Sequence, residues 1–188
     1  MKRRLFVSMV AIAILVMPLS ARANHLDLKD ANDTNGPLDV QEVGVWGDTP
    51  LRWRIFTYNG WSSAGIWDQG YIAVYFDTYG PLRGKGARYE YYALLSSNGR
   101  RMRGLLFRDF RSRPDVRIGY LRTRKPDRRT VTVRIPVKRK MEIGGARTVY
   151  RWYVKTIYNG AGCGHVCMDR VPDSGGVAEP IRPNEPAS

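Results

Sequence analysis

The run Tyr71-Ile72-Ala73-Val74-Tyr75-Phe76 is apolar or aromatic at every position, the pattern of a central strand covered on both faces. On either side of it the period changes. Leu51, Trp53 and Ile55 alternate with Arg52 and Arg54, and Val131, Val133 and Ile135 alternate with Thr132 and Arg134, so these segments have one buried and one wet face. Short stretches rich in Val, Ile, Tyr, Trp and Thr recur between clusters of Gly, Pro, Asn and Asp, while helix signals are nearly absent beyond the first residues. The pattern predicts about eight strands, at 40–45, 51–58, 71–78, 88–95, 102–109, 116–121, 130–136 and 148–158. A doubly covered central strand implies two layers, so the expected fold is all-β: an antiparallel two-sheet sandwich, jelly-roll-like, in preference to a closed barrel. Residues 138–145 read as a helical turn, and 173–188, with their Pro, Gly and Ser, as a flexible tail.

The N-terminus has a separate logic. Lys2, Arg3 and Arg4 precede an apolar stretch at 5–19 and the small-residue segment Ser20-Ala21-Arg22-Ala23, the three zones of a secretory signal peptide. Cleavage is expected after Ala23, leaving a β-domain at 24–172 and the tail. The apolar run is shorter than the ~20 residues that span a bilayer, and no later stretch of the mature chain reads as a transmembrane segment. The expected product is secreted, which makes intracellular nucleic acid an unsuitable partner.

The 188-residue chain has a formal charge of +14, and loss of Lys2, Arg3, Arg4 and Arg22 lowers it to +10. That charge is unevenly spread: residues 24–82 carry −5, residues 83–155 carry +17, and residues 156–188 carry −2. The acidic front suits a cation. The basic middle suits a polyanion outside the cell, such as an anionic cell-envelope polymer or acidic glycan, although a solvated basic face is the bland alternative.

The densest local signal is Asp30-Ala31-Asn32-Asp33-Thr34-Asn35-Gly36-Pro37-Leu38-Asp39. Calcium takes six to eight oxygen ligands, and a short Asp/Asn loop bent by Gly-Pro can turn several inward. Counted from Asp30, the sixth and twelfth places hold Asn35 and Gln41, so the loop is not an EF-hand. The candidate calcium ligands are Asp30, Asn32, Asp33 and Asp39. Asp77 joins them because a carboxylate beside so apolar a run needs a partner; Asp68 is a weaker candidate. The competing reading is that these residues only cap turns.

Trp61 and Trp67, in Asn59-Gly60-Trp61-Ser62-Ser63-Ala64-Gly65-Ile66-Trp67, are candidate ligand-binding residues, since exposed indole faces stack on sugar rings. They could instead fold inward and plug one end of the body. Cys163 and Cys167, an even pair in an exported chain, are expected to form a disulfide. A metal site with His165 lacks a clear fourth ligand, and a redox motif would have two intervening residues rather than three. His25 and His165 are the only histidines, and neither is well placed as the base of a nucleophilic triad. Glu42 and Glu90 could serve a glycosidase only as a carboxylate pair facing a cleft.

Four motifs in fixed order extend this picture: Asp30-x-x-Asp33-x-x-Gly36-x-Leu38-Asp39-Val40; Val74-Tyr75-Phe76-Asp77-Thr78; Lys125-Pro126-Asp127-Arg128-Arg129-Thr130; and Cys163-x-x-x-Cys167-x-Asp169-Arg170-x-Pro172-Asp173. Together they span most of the mature chain, which resembles a family of secreted, mostly uncharacterised bacterial β-sandwich proteins. The resemblance carries no activity. A more distant similarity to calcium-supported carbohydrate-binding modules implies a binding role. The combined expectation is a secreted, non-enzymatic, calcium-stabilised binding domain for a glycan or anionic envelope polymer. The alternatives are a metal-free structural or protein-interaction domain and, less favoured, a small glycosidase.

Overall fold

The computed structural model describes residues 25–46, 51–79, 88–110, 112–137, 141 and 149–180. The expected signal peptide lies outside the described residues, as does the expected helical turn apart from Met141. The strands are, in chain order, β1 (His25–Lys29), β2 (Val40–Trp46), β3 (Leu51–Thr57), β4 (Gly70–Asp77), β5 (Tyr91–Ser97), β6 (Met102–Arg108), β7 (Val116–Arg124), β8 (Thr130–Ile135), β9 (Val149–Tyr158), β10 (Cys167–Val171) and β11 (Val177–Pro180).

All pairings are antiparallel, and the fold is all-β as the sequence implies. The arrangement differs from the expected two-sheet sandwich of about eight strands. The strands form one continuous sheet in the order β1-β2-β3-β8-β7-β6-β5-β4-β9-β10, with β11 also on β9. The sheet curls until β10 lies against β2, giving a nearly closed, barrel-like body. The reason lies in β7. Its first part pairs with β6 and its last residues, Arg122 to Arg124, pair with β8, so one strand carries the ladder from one half to the other. A register shift between Leu106 and Phe107 supplies the local bend that such a crossing needs. β10 and β11 lie on successive stretches of one edge of β9, so 177–180, read as tail, are strand instead.

The core fills the space between the halves. Trp53 of β3 meets Trp152 of β9 edge to face at 4.5 Å and Phe76 of β4 at 5.5 Å, ring centre to ring centre. Ile72, Val74 and Phe76 point into this core. The outward positions of β4 are apolar for a different reason than a second layer. Tyr75 stacks on Tyr153 of β9 at 4.7 Å and lies 5.6 Å from Tyr92 of β5, which stacks on Phe107 of β6 at 5.1 Å. A ladder of rings across neighbouring strands shields that face, and such cross-strand pairs stabilise antiparallel sheets.

Candidate metal centre at the sheet seam

The segment between β1 and β2 runs along the seam where the curled sheet meets itself, and it is held by neighbours distant in sequence. The Asp30 N–H donates to the Gln41 carbonyl at 3.0 Å, and the Tyr58 hydroxyl donates to the Asp30 carbonyl at 2.7 Å. Thr156 of β9 donates to the Leu38 carbonyl at 2.8 Å, and Thr34 donates to the Met168 carbonyl of β10 at 3.2 Å. Gly36 makes the turn with φ +99°, and a Cβ there would meet the Cys163 Sγ at 3.0 Å. Cys163 and Cys167 are disulfide-bonded as expected, so the bridge packs directly on the acidic loop.

This framework brings carboxylate oxygens of Asp33, Asp39 and Asp169 within 4.8 Å of one another. Asp39 is 0% exposed and Asp169 4%, whereas Asp33 is exposed. Asp169 Oδ2 accepts the Val40 N–H at 2.6 Å and Oδ1 accepts the Arg170 N–H at 2.5 Å. Among the described residues neither carboxylate oxygen of Asp39 has a well-formed hydrogen bond, the Thr34 backbone N–H being only a weak neighbour, and Asp30 Oδ2 is likewise buried without one.

The electrostatics follow from that placement. Burial, then the charges of Asp169 and Asp33, push the Asp39 carboxyl up to about 6, against a smaller opposing effect of the Thr34 backbone N–H. Burial, then Asp169 and Asp173, push Asp30 up to about 7. Asp169 is also raised, chiefly by burial, although its two backbone hydrogen bonds oppose the rise. Like charges crowded in a covered site disfavour ionisation, and a divalent cation would reverse each of these costs.

Of the expected ligands, Asp33 and Asp39 converge, and Asp30 lies within their electrostatic reach. Asn32 is exposed on the same loop. Asp77 does not belong to the set. Asp169 is level with Thr156, and Thr156 with Ile72; Asp77 lies five residues further along β4, roughly 17 Å at the usual strand rise. It is buried there opposite Arg151, a local role at a strand end. Asp68 is an exposed turn residue with φ 59°. Glu42 pairs with Arg54 at 2.6 Å, and Glu90 accepts the Thr78 and Tyr79 N–H groups.

Asp169 was the residue not singled out as a ligand. Its signal was the strand period: in Met168-Asp169-Arg170-Val171 the carboxylate shares the inward parity of the buried Val171, which is an unusual place for Asp.

The tryptophans divide. Trp61 is 6% exposed, its Nε1–H donates to Thr57 Oγ1 at 3.1 Å, and the Lys125 ammonium sits 3.7 Å from its ring centre. It therefore takes the inward reading, and is not an exposed stacking platform. Trp67 is 58% exposed and leans on Gly99. Beside Trp61 a cleft of about 560 Å³ opens between Gly36-Pro37 and the 59–66 loop, with Asn59 and Arg128 on its walls. Among the described residues no helix is long and apolar enough to cross a membrane. No protein-family model, curated protein or solved structure matches the chain.

Proposed function

We propose that the chain is an exported, non-enzymatic binding domain whose curled sheet is clasped at its seam by a divalent cation, with calcium the fitting ion, and whose ligand is a glycan or anionic polymer outside the cell. The observation that carries this reading is Asp39: a fully buried carboxylate with no well-formed hydrogen bond among the described residues and only the Thr34 backbone N–H weakly beside it, aimed at two further carboxylates. An isolated buried charge costs so much that it normally neutralises or finds a counter-charge. An all-oxygen donor set suits a hard cation, which asks for carboxylates and carbonyls rather than nitrogen or sulfur. Asp33 and Asp39 come from the loop before β2 and Asp169 from β10, so an ion there would tie together the two ends of the sheet.

The covered position of Asp39 and Asp169 also separates this reading from glycoside hydrolysis. A sugar ring needs open carboxylates on its two sides, while a small ion needs only the gap between oxygens. The export half of the proposal is supported by the signal-like N-terminus and by the disulfide, a bond that persists in oxidising compartments. Calorimetric titration with calcium, paired with melting curves in calcium and in chelator, tests the clasp. We expect one ion per chain and a higher melting temperature in calcium; absence of both heat and shift overturns it.

A further inference from the structure

The outer face of the β3-β8-β7 region presents an arrangement that the acidic seam does not explain. Arg52 of β3 stands directly opposite Arg134 of β8, and Arg134 stands directly opposite Arg122 of β7. Trp46 of β2 continues the same row beside Arg52. One step along, Arg124 is level with Thr132. The side chains of Trp46, Arg52, Arg122, Arg124, Thr132 and Arg134 line one concave groove of about 190 Å³.

Like charges directly opposite each other destabilise an antiparallel pair, and here they meet across two successive pairings. Among the described residues no acidic side chain lines the groove. The adjoining Arg54 shows the ordinary solution, bonding Glu42 at 2.6 Å with Asp27 at 3.7 Å. Among the described residues Arg134 has no such relief. The groups that loosen its hold on its proton are Arg52 first, then burial, Arg122 and Arg124. Guanidinium does not escape by deprotonation in a protein, so the repulsion persists at neutral pH unless an anion enters.

We propose that this arginine groove is the binding site for the phosphate groups of an extracellular polyanion. Guanidinium forks match oxyanions with paired, directed N–H donors. A tetrahedral phosphate offers oxygens in several directions to arginines converging from separate strands, whereas a carboxylate offers two in one plane. Trp46 supplies an apolar wall at one end; the adjoining cleft of about 430 Å³ shares Trp46 and Thr132 with the groove but is also lined by Glu42 and Asp127, so a polyanion is confined to the arginine side of Trp46. The inference names the ligand class for the binding-domain reading and rests on that reading, but it does not depend on the cation clasp.

The test uses the full mature chain with calorimetry against inorganic phosphate, polyphosphate, a sulfated polysaccharide and duplex DNA, each at two salt concentrations. Polyphosphate should bind, more weakly at high salt, and more tightly than the sulfated polysaccharide at matched charge. Arg134→Gln and, separately, Arg122→Gln should each weaken polyphosphate at least tenfold. Both should raise the melting temperature of the ligand-free protein, because the row of like charges is relieved. The control Arg100→Gln/Arg101→Gln, on the exposed β5–β6 turn, should change neither. Equal losses in the control would show diffuse charge and overturn the groove. Tighter binding to the sulfated polymer would overturn the phosphate assignment, whereas DNA, itself a phosphate polyanion, supports it if its binding is lost with Arg122 and Arg134. No polyanion binding with calcium-dependent melting intact would overturn the groove while leaving the clasp standing.

Discussion

Oδ2 of Asp169 accepts a 2.6 Å hydrogen bond from the backbone N–H of Val40, 129 residues earlier in the chain. One side chain of β10 thereby takes the place of a ladder hydrogen bond at the start of β2, and the same carboxylate faces Asp33 and Asp39. Closing the sheet and gathering negative charge are a single structural event.

Opposite outcomes are expected for two neutralising substitutions in that cluster. Asp169→Ala leaves the buried Val40 N–H without an acceptor and should cost about 1–3 kcal/mol; for a chain of this size that lowers the melting temperature by several degrees. Asp39→Asn removes a buried charge that has only a weak neighbour in the Thr34 backbone N–H. In chelator it should raise the melting temperature, and in calcium it should abolish the metal-dependent increment. Melting curves of both variants with and without calcium check the pair. A drop for Asp39→Asn in chelator would mean that its carboxylate is already satisfied by something other than a cation.

Much of this was legible beforehand, and the exceptions have physical causes. The alternation in 51–58 and 130–136 located β3 and β8 because one face of each is wet. The reading of β7 stopped at 121; in the fold Arg122 to Arg124 are strand as well, with Arg122 and Arg124 outward. That short extension is the link between the halves, and it makes one continuous sheet where the apolar central strand implied two. Tyr71 to Phe76 suggested a second covering layer, since sequence cannot distinguish a strand shielded by another sheet from one shielded by Tyr92, Tyr153 and Phe107 on its own sheet. Asp169 meets Asp39 only through the curl of the whole sheet, a relationship that no local period records.

The tyrosine ladder gives a pH prediction far from the acidic cluster. Burial is the largest cause raising Tyr75, Tyr92 and Tyr153, and Tyr153 reaches about 12 despite the opposing Arg170 guanidinium 4.2 Å from its ring centre. The unfolded reference is 10.0. A proton held more tightly in the folded state contributes stability that is complete below the unfolded value and lost as pH rises through the folded one. Stability should therefore fall as pH climbs from about 10 toward 12. Ultraviolet titration should show these phenols ionising late, together with the loss of near-ultraviolet dichroism. Ionisation of every tyrosine near 10 in a chain that stays folded would contradict this.

Gly36 and the disulfide are coupled through contact. Replacing both Cys163 and Cys167 by Ala frees a short loop and should cost about 2 kcal/mol on the chain-entropy account. Gly36→Ala should cost roughly 1–3 kcal/mol, because a side chain at φ +99° is strained and its Cβ would press on the Cys163 sulfur. Combining them should cost less than the sum, since removing the sulfur relieves the clash while the backbone strain remains. Denaturant melts of the single, double and combined variants measure this coupling; strict additivity would show that the loop and the bridge do not touch in solution.

Trp53 offers the sharpest test of the core. It is fully buried and meets Trp152 and Phe76 edge to face, so it joins β3 on one half of the body to β9 and β4 on the other. Trp53→Ala should cost about 3–5 kcal/mol through lost burial and the cavity left behind, against a total stability of roughly 5–15 kcal/mol. Trp67→Ala, by contrast, removes a mostly exposed ring and should change stability by no more than about 0.5 kcal/mol. Chemical denaturation followed by tyrosine fluorescence distinguishes the two. Comparable losses would mean that the exposed indole is covered in solution, by a ligand or a second copy of the chain. A tolerant Trp53 would mean that the two halves are not joined through this core.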